Sequence, residues 1–122
     1  MKWAVIFNDE FEQEFDLLAE EVQDELYALL KTLRQFGPTL GRPYVDTLKR
    51  SKHANMKELR FDADDGVWRV AFAFDRQRQA ILLVAGDKSG ISQNLFYRGL
   101  IKTADKRYDA HLAKLKKQDE GK

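Results

Sequence analysis

Arg60 and Arg69 sit in KELRFDADDGVWRVAFAFD, residues 57–75, where the apolar residues otherwise alternate as in a β-hairpin. Side chains along a strand point to opposite faces in turn. Trp68, Val70, Phe72 and Phe74 therefore share one large apolar face, the natural floor for a helix. Val67, Arg69, Ala71 and Ala73 share the other. In the preceding strand Leu59 and Phe61 go to the core side, which leaves Glu58, Arg60 and Asp62 on the open side. A guanidinium pairs bidentately with phosphate, so a face of small residues and arginines is a shallow groove suited to a polyanion. The competing reading pairs Arg60 and Arg69 with Glu58, Asp62 or other carboxylates on a solvated face. The strand pattern leaves both open.

Further cations stand nearby in the chain. AILLVAGDK places Lys88 at the end of the next strand. LKRSKHANMKELR, residues 48–60, holds six basic residues: Lys49, Arg50, Lys52, His53, Lys57 and Arg60. Lys49, Arg50, Lys52 and His53 form a loop able to contact phosphates electrostatically without reading sequence, or a merely solvated one. Other chemistry is thin. There is no cysteine, which excludes disulfides, thiolate catalysis and Cys-based metal sites. His53 and His111 are the only histidines and suggest no metal site, and no phosphate-binding, dinucleotide, serine-hydrolase or zinc-protease motif is present. Neither metal nor cofactor is expected. Tyr97, Arg98 and Tyr108 could cover the groove or pack against the sheet edge.

The elements that must position these residues follow from periodicity. The 122 residues are expected to form one domain, residues 1–122, with one modest core and a flexible Lys-rich tail at 113–122. KWAVIF reads as a first strand, not a signal peptide. Asn8 or Asp9 can cap a helix whose apolar residues recur from Phe11 to Phe36 at intervals of three or four, until Gly37-Pro38 stops it. One long helix and a helical hairpin broken near residues 16–20 both fit. A connector with a short helical turn at residues 44–48 follows, then three antiparallel strands joined by DADDG and DRQRQ, then a helix from about Ser92. Residues 8–36 carry nine acidic and two basic side chains, whereas residues 37–122 carry eighteen basic and eleven acidic ones. One acidic face and one basic face are expected, and the basic one favours an anionic partner. No apolar run approaches the roughly 20 residues of a membrane span, so no membrane contact and a cytoplasmic location are expected.

KELRF followed by WRVAFAF and then DK, with PYVDTLKRSKHANM before and SG after, resembles the RelE/ParE superfamily of bacterial toxins over residues 3–110. The nearest resemblance is to the HigB-like branch, which includes phage-derived proteins. It implies an α+β fold: a small domain with a twisted, mostly antiparallel sheet of about four strands, an N-terminal helix or helical hairpin on one face, a C-terminal helix and a basic groove. It also implies the toxin of a type II toxin–antitoxin system, acting as a ribosome-dependent mRNA endoribonuclease. The partners implied are a HigA-like helix-turn-helix antitoxin, mRNA on the ribosome and, through the antitoxin, operator DNA. Carried over by position, Arg69 would hold the scissile phosphate, Arg60 would be a second clamp, and Lys88 a clamp or proton donor. Fixed cations can stabilise charge on phosphorus without a metal. A proton-transfer group must titrate nearer neutrality than arginine does, which leaves Lys57, Lys88 or His53. The sequence departs from the pattern at Glu58 and at GDKSG, where HigB toxins carry histidines. Rivals of the same fold are a ParE-like gyrase inhibitor and a phage-derived binding module without catalysis.

Overall fold

The computed structural model describes residues 2–121; residues 1 and 122, the ends of the expected domain, lie outside the described residues. Strand β1 (Ala4–Phe7) leads into helix α1 (Asp9–Asp16), whose first turn is capped by the Asn8 side chain accepting from the Phe11 N–H at 3.0 Å. Helix α2 (Glu20–Phe36) follows, so the N-terminal segment is a helical hairpin. The Gln23 amide holds the corner by donating to the Phe15 carbonyl, which also accepts from the Leu18 N–H, and to the Leu18 carbonyl. Helix α2 stops at Gly37, where φ is 55° and an added Cβ would fall 2.3 Å from the Trp3 indole. Only glycine fits there.

Strands β2 (Val45–Thr47), β3 (Met56–Ala63), β4 (Gly66–Phe74) and β5 (Gln79–Asp87) complete a five-stranded sheet in the order β1-β5-β4-β3-β2. All neighbours are antiparallel except β1 and β5. The β3–β4 turn is the expected tight hairpin, with Asp64 and Asp65 both at positive φ. The sheet has one strand more than expected. Residues 45–47, anticipated within a helical turn, pair instead with residues 57–59. The free edge of β3 offers ladder partners, and the preceding Gly41 and Pro43 disfavour a helix.

One face of the sheet receives α1 and α2. Phe11, Phe15, Leu26, Leu30 and Leu33 pack there on Leu59, Val70, Phe72 and Leu82. The opposite face was expected to be open and is not. Helix α3 (Gln93–Glu120) lies across it, burying Phe96, Leu100, Ala104 and Tyr108 against Met56, Ala71, Ala73, Ile81 and Leu83. Ala71 and Ala73 are fully buried, so their small size makes room for a helix rather than for a phosphate. Gly86 serves the same packing, since a Cβ there would meet the Phe96 ring at 2.9 Å. The segment expected as a tail from residue 113 is helical to Glu120, with Leu115 buried. Among the described residues no helix is long and apolar enough to cross a membrane.

Candidate nucleic-acid interface

Arg60 and Arg69 are direct cross-strand partners on β3 and β4, on the face that carries α3. Like charges opposite one another repel. Here a carboxylate lies between them. Glu58, 4% exposed, accepts from Arg60 Nη1 at 2.8 Å and stands 3.7 Å from Arg69 Nε. The first residues of α3 add a third partner: the Tyr97 hydroxyl donates to Glu58 Oε1 at 2.8 Å and accepts from Arg69 Nε at 3.3 Å. Arg69 also donates to the Trp68 carbonyl at 2.9 Å and is 6% exposed, so its guanidinium is fixed from two sides. The Arg60 side chain keeps 21% of its surface in solvent. Burial, reinforced by the bond to Glu58, pushes the Tyr97 phenol above its ordinary pKa despite the opposing pull of Arg69. Tyr97 therefore keeps its proton at neutral pH and serves as a hydrogen-bond donor.

Arg60 forms the divide between two depressions. One, of about 270 Å³, is bounded by Arg42, Lys49 and Arg50, with Asp46 and Glu58 as its acids and Gln93 from the start of α3 at its rim. The other, of about 240 Å³, lies between Arg60, Arg69, Pro43 and Asp62. Arg42 is engaged with Asp46 at 2.7 Å, and Arg50 Nη1 donates to the Asn94 side chain at 2.9 Å. Four cations against two acids leave the larger cleft positive. Among the described residues no group of His, Asp and Glu is arranged to hold a metal ion.

The sequence matches the family "Phage derived protein Gp49-like" over residues 13–109. The chain belongs to the Gp49-like family, on the HigB-like branch of the RelE superfamily. It is 43% identical over 97 residues to HigB2, a candidate toxin of Mycobacterium tuberculosis, with 79% of this chain and 48% of HigB2 covered. To HigB3, a second candidate toxin of the same organism, it is 42% identical over 110 residues, covering 90% of this chain and 94% of that protein. The chain thus spans about half the length of one relative and nearly all of the other. An E. coli RelE toxin carrying two arginine-to-alanine changes, solved in the free state, superposes with a TM-score of 0.62 at 13% identity, covering 88% of this chain and 98% of that one. That likeness shows the fold. The family places this chain among the toxins of toxin–antitoxin systems.

In this HigB-like chain the residues singled out from sequence divide into groups. Arg60 and Arg69 come together, and Lys49 and Arg50 line the larger cleft with Arg60. Lys88 follows the last residue of β5, where its N–H donates to the Val67 carbonyl, beyond the Arg69–Gly86 pair. Lys57 is separated from Arg60 by strand alternation. It sits opposite Phe72, on the α1–α2 side, and its ammonium reaches Thr47 Oγ1 at 3.4 Å. Lys52 and His53 are likewise drawn away. Both pair with Asp109 of α3, His53 at 2.8 Å, while Ser51 bonds Asp105 one turn earlier. The basic loop is thus latched along α3 rather than free. Glu58 is the carboxylate that the competing reading paired with Arg60 and Arg69, and that pairing is present; Tyr97, left open between covering the groove and packing on the sheet edge, joins the cluster. Glu58 was legible as a carboxylate on the right face, but nothing local links it to a tyrosine 39 residues away.

Proposed function

We propose that this toxin is a ribosome-dependent mRNA endoribonuclease, held in check by a HigA-like helix-turn-helix antitoxin that also carries it to operator DNA. The observation that supports this reading is the partly exposed Arg60 guanidinium on the divide of a positive cleft, backed by a fixed Arg69. Cleavage by the RNA's own 2′-hydroxyl requires loss of that proton, attack on phosphorus to close a 2′,3′-cyclic phosphate, and protonation of the departing 5′-oxygen. Arg60 aims at the charge that develops on the phosphoryl oxygens, where a preorganised cation is most effective. Arg69 is the rigid support, holding Tyr97 and the Arg60–Glu58 pair in place. Lys49, Arg50 and Arg42 line the RNA's path and contribute affinity without reading sequence. Lys88 is the cation left to protonate the leaving oxygen, since Lys57 faces away.

Inducible expression followed by mapping of transcript ends tests the reading. In-frame cuts that require translation are expected from the wild-type chain, with a loss of roughly 100-fold or more in Arg60→Ala. A stably folded Arg60→Ala protein that still cuts at the wild-type rate would remove the assignment. Intact transcripts accompanied by DNA-damage signalling would point to gyrase instead.

A further inference from the structure

Arg50, Arg98 and Lys102 surround a further depression of about 210 Å³, whose one apolar lining residue is the buried Ile101. No carboxylate lines it, whereas the larger cleft beside Arg60 has Asp46 and Glu58. Arg98 and Lys102 are exposed and four residues apart on α3, so they stand on adjacent turns of one flank. Like charges at that spacing weaken a helix, and folding does not call for them. Elsewhere the chain neutralises its cations close at hand: Lys52 with Asp109, Arg76 with Asp119, Arg107 with Glu14. Among the described residues Arg98 and Lys102 form no ion pair. Asp105, three residues beyond Lys102, is taken by the Ser51 hydroxyl and the Lys52 N–H. Arg50 is held on the same flank by donating from Nη1 to the Asn94 side chain, one turn before Arg98, at 2.9 Å. A guanidinium has five N–H donors, so that bond leaves others for an anion. Arg50 and Ile101 also line the larger cleft, so the depression continues the positive surface that begins at Arg60.

We propose that Arg50, Arg98 and Lys102 form a second phosphate subsite, which takes a backbone phosphate of the same RNA strand whose phosphate Arg60 holds. The arginine forks suit the two free oxygens of a phosphodiester, and Lys102 adds a point charge. Such contacts read no sequence. They add affinity, and with Arg60 they fix the line of the strand across the cleft. This inference rests on the ribonuclease reading of the neighbouring cleft, which supplies the strand.

The test uses the full chain as wild type, Arg98→Ala, Arg98→Lys, Lys102→Ala and Lys106→Ala, the last an exposed lysine of α3 outside the depression. Binding is measured against salt for a short single-stranded RNA, for ribosomes programmed with mRNA and for ribosomes without it. Arg98→Ala and Lys102→Ala should each weaken binding to the RNA and to programmed ribosomes roughly fivefold at 0.1 M salt, with a log–log slope shallower by about 0.7. Arg98→Lys keeps the charge and should stay within about twofold of wild type at the same slope. Lys106→Ala should bind as wild type does. A wild-type slope in Arg98→Ala overturns the subsite, as does an equal loss in Lys106→Ala, which would leave net charge alone as the cause. A loss on ribosomes without mRNA but none on the single-stranded RNA gives the phosphate to ribosomal RNA and overturns the shared strand. Normal binding by Arg98→Ala beside an inactive Arg60→Ala removes the subsite and leaves the ribonuclease reading standing. A wild-type chain that does not cleave, with the Arg98→Ala loss on RNA intact, removes the ribonuclease reading and keeps the subsite.

Discussion

Arg60 and Arg69 face one another across a strand pair, and the buried Glu58 between them is what makes two like charges tolerable there. The same carboxylate occupies a guanidinium edge that a phosphate would use, so under the proposed function a phosphate at Arg60 would take the place of an anion already there. A second charged residue is just as enclosed. Asp75, at the β4–β5 turn, accepts from the Gln77 and Gln79 N–H groups, the Gln79 amide and His111 Nε2. Burial alone would push its carboxyl up, but the bonds from His111, Gln79 and Gln77 outweigh it and hold the pKa below the ordinary aspartate value. A depressed carboxyl stabilises the fold above its unfolded pKa and loses that contribution as pH falls through the folded one. Asp75→Asn should therefore cost about 2 kcal/mol at pH 7, and the gap to wild type should close below about pH 4. Urea titrations at pH 7, 5 and 3 measure this; a gap independent of pH would remove the charge from the account.

At the scale of elements, α3 does two things at once. Its apolar stripe covers the alanine face of the sheet, and Asp105 and Asp109, one turn apart on its flank, hold residues 51–53 of the basic loop. Replacing both aspartates by asparagine should speed amide exchange in residues 49–55 and leave β3 and β4 unchanged, as hydrogen-exchange mass spectrometry can show. Exchange unchanged in the loop would mean the latch holds nothing. Much of this architecture was legible in the sequence. The three-strand meander, the apolar stripe of α2 and the shared face of Arg60 and Arg69 all follow from periods of two and 3.6. Alternation says which residues share a face but not what covers it, so a buried alanine face and an open one read alike. The same period puts Lys57, an odd number of residues from Arg60, on the opposite face, although it was counted among the candidates for proton transfer. Strand β2 was hidden because three residues flanked by Gly41 and Pro43 carry no periodicity, only an edge to pair with. The latch and Tyr97 join segments 39 to 56 residues apart, beyond the reach of any local pattern.

Across the whole molecule the sheet separates two electrical sides. All nine acidic residues of segment 8–36 are exposed on or beside α1 and α2, and among the described residues only Glu10 and Glu14 meet a cation, Arg107. The arginine cleft lies on the other face. A polyanion is thus repelled from one side and drawn to the other, which orients the toxin before contact. Its association with programmed ribosomes should weaken with salt, and Lys49→Ala should make the log–log slope shallower by about 0.7, one phosphate's worth for single-stranded RNA. An unchanged slope would take Lys49 off the RNA path. The dependence of the cleft on α3 also has a meaning in time. Ribosomes make protein at roughly 5–20 residues per second, so β3 and β4 are synthesised about a second or more before Tyr97 and Asp109. Through that interval the alanine face is bare, Glu58 has no tyrosine, and the basic loop has nothing to fasten to. A half-made copy therefore holds its arginines without the frame that aims them, and the cleft is finished only when the last helix is made.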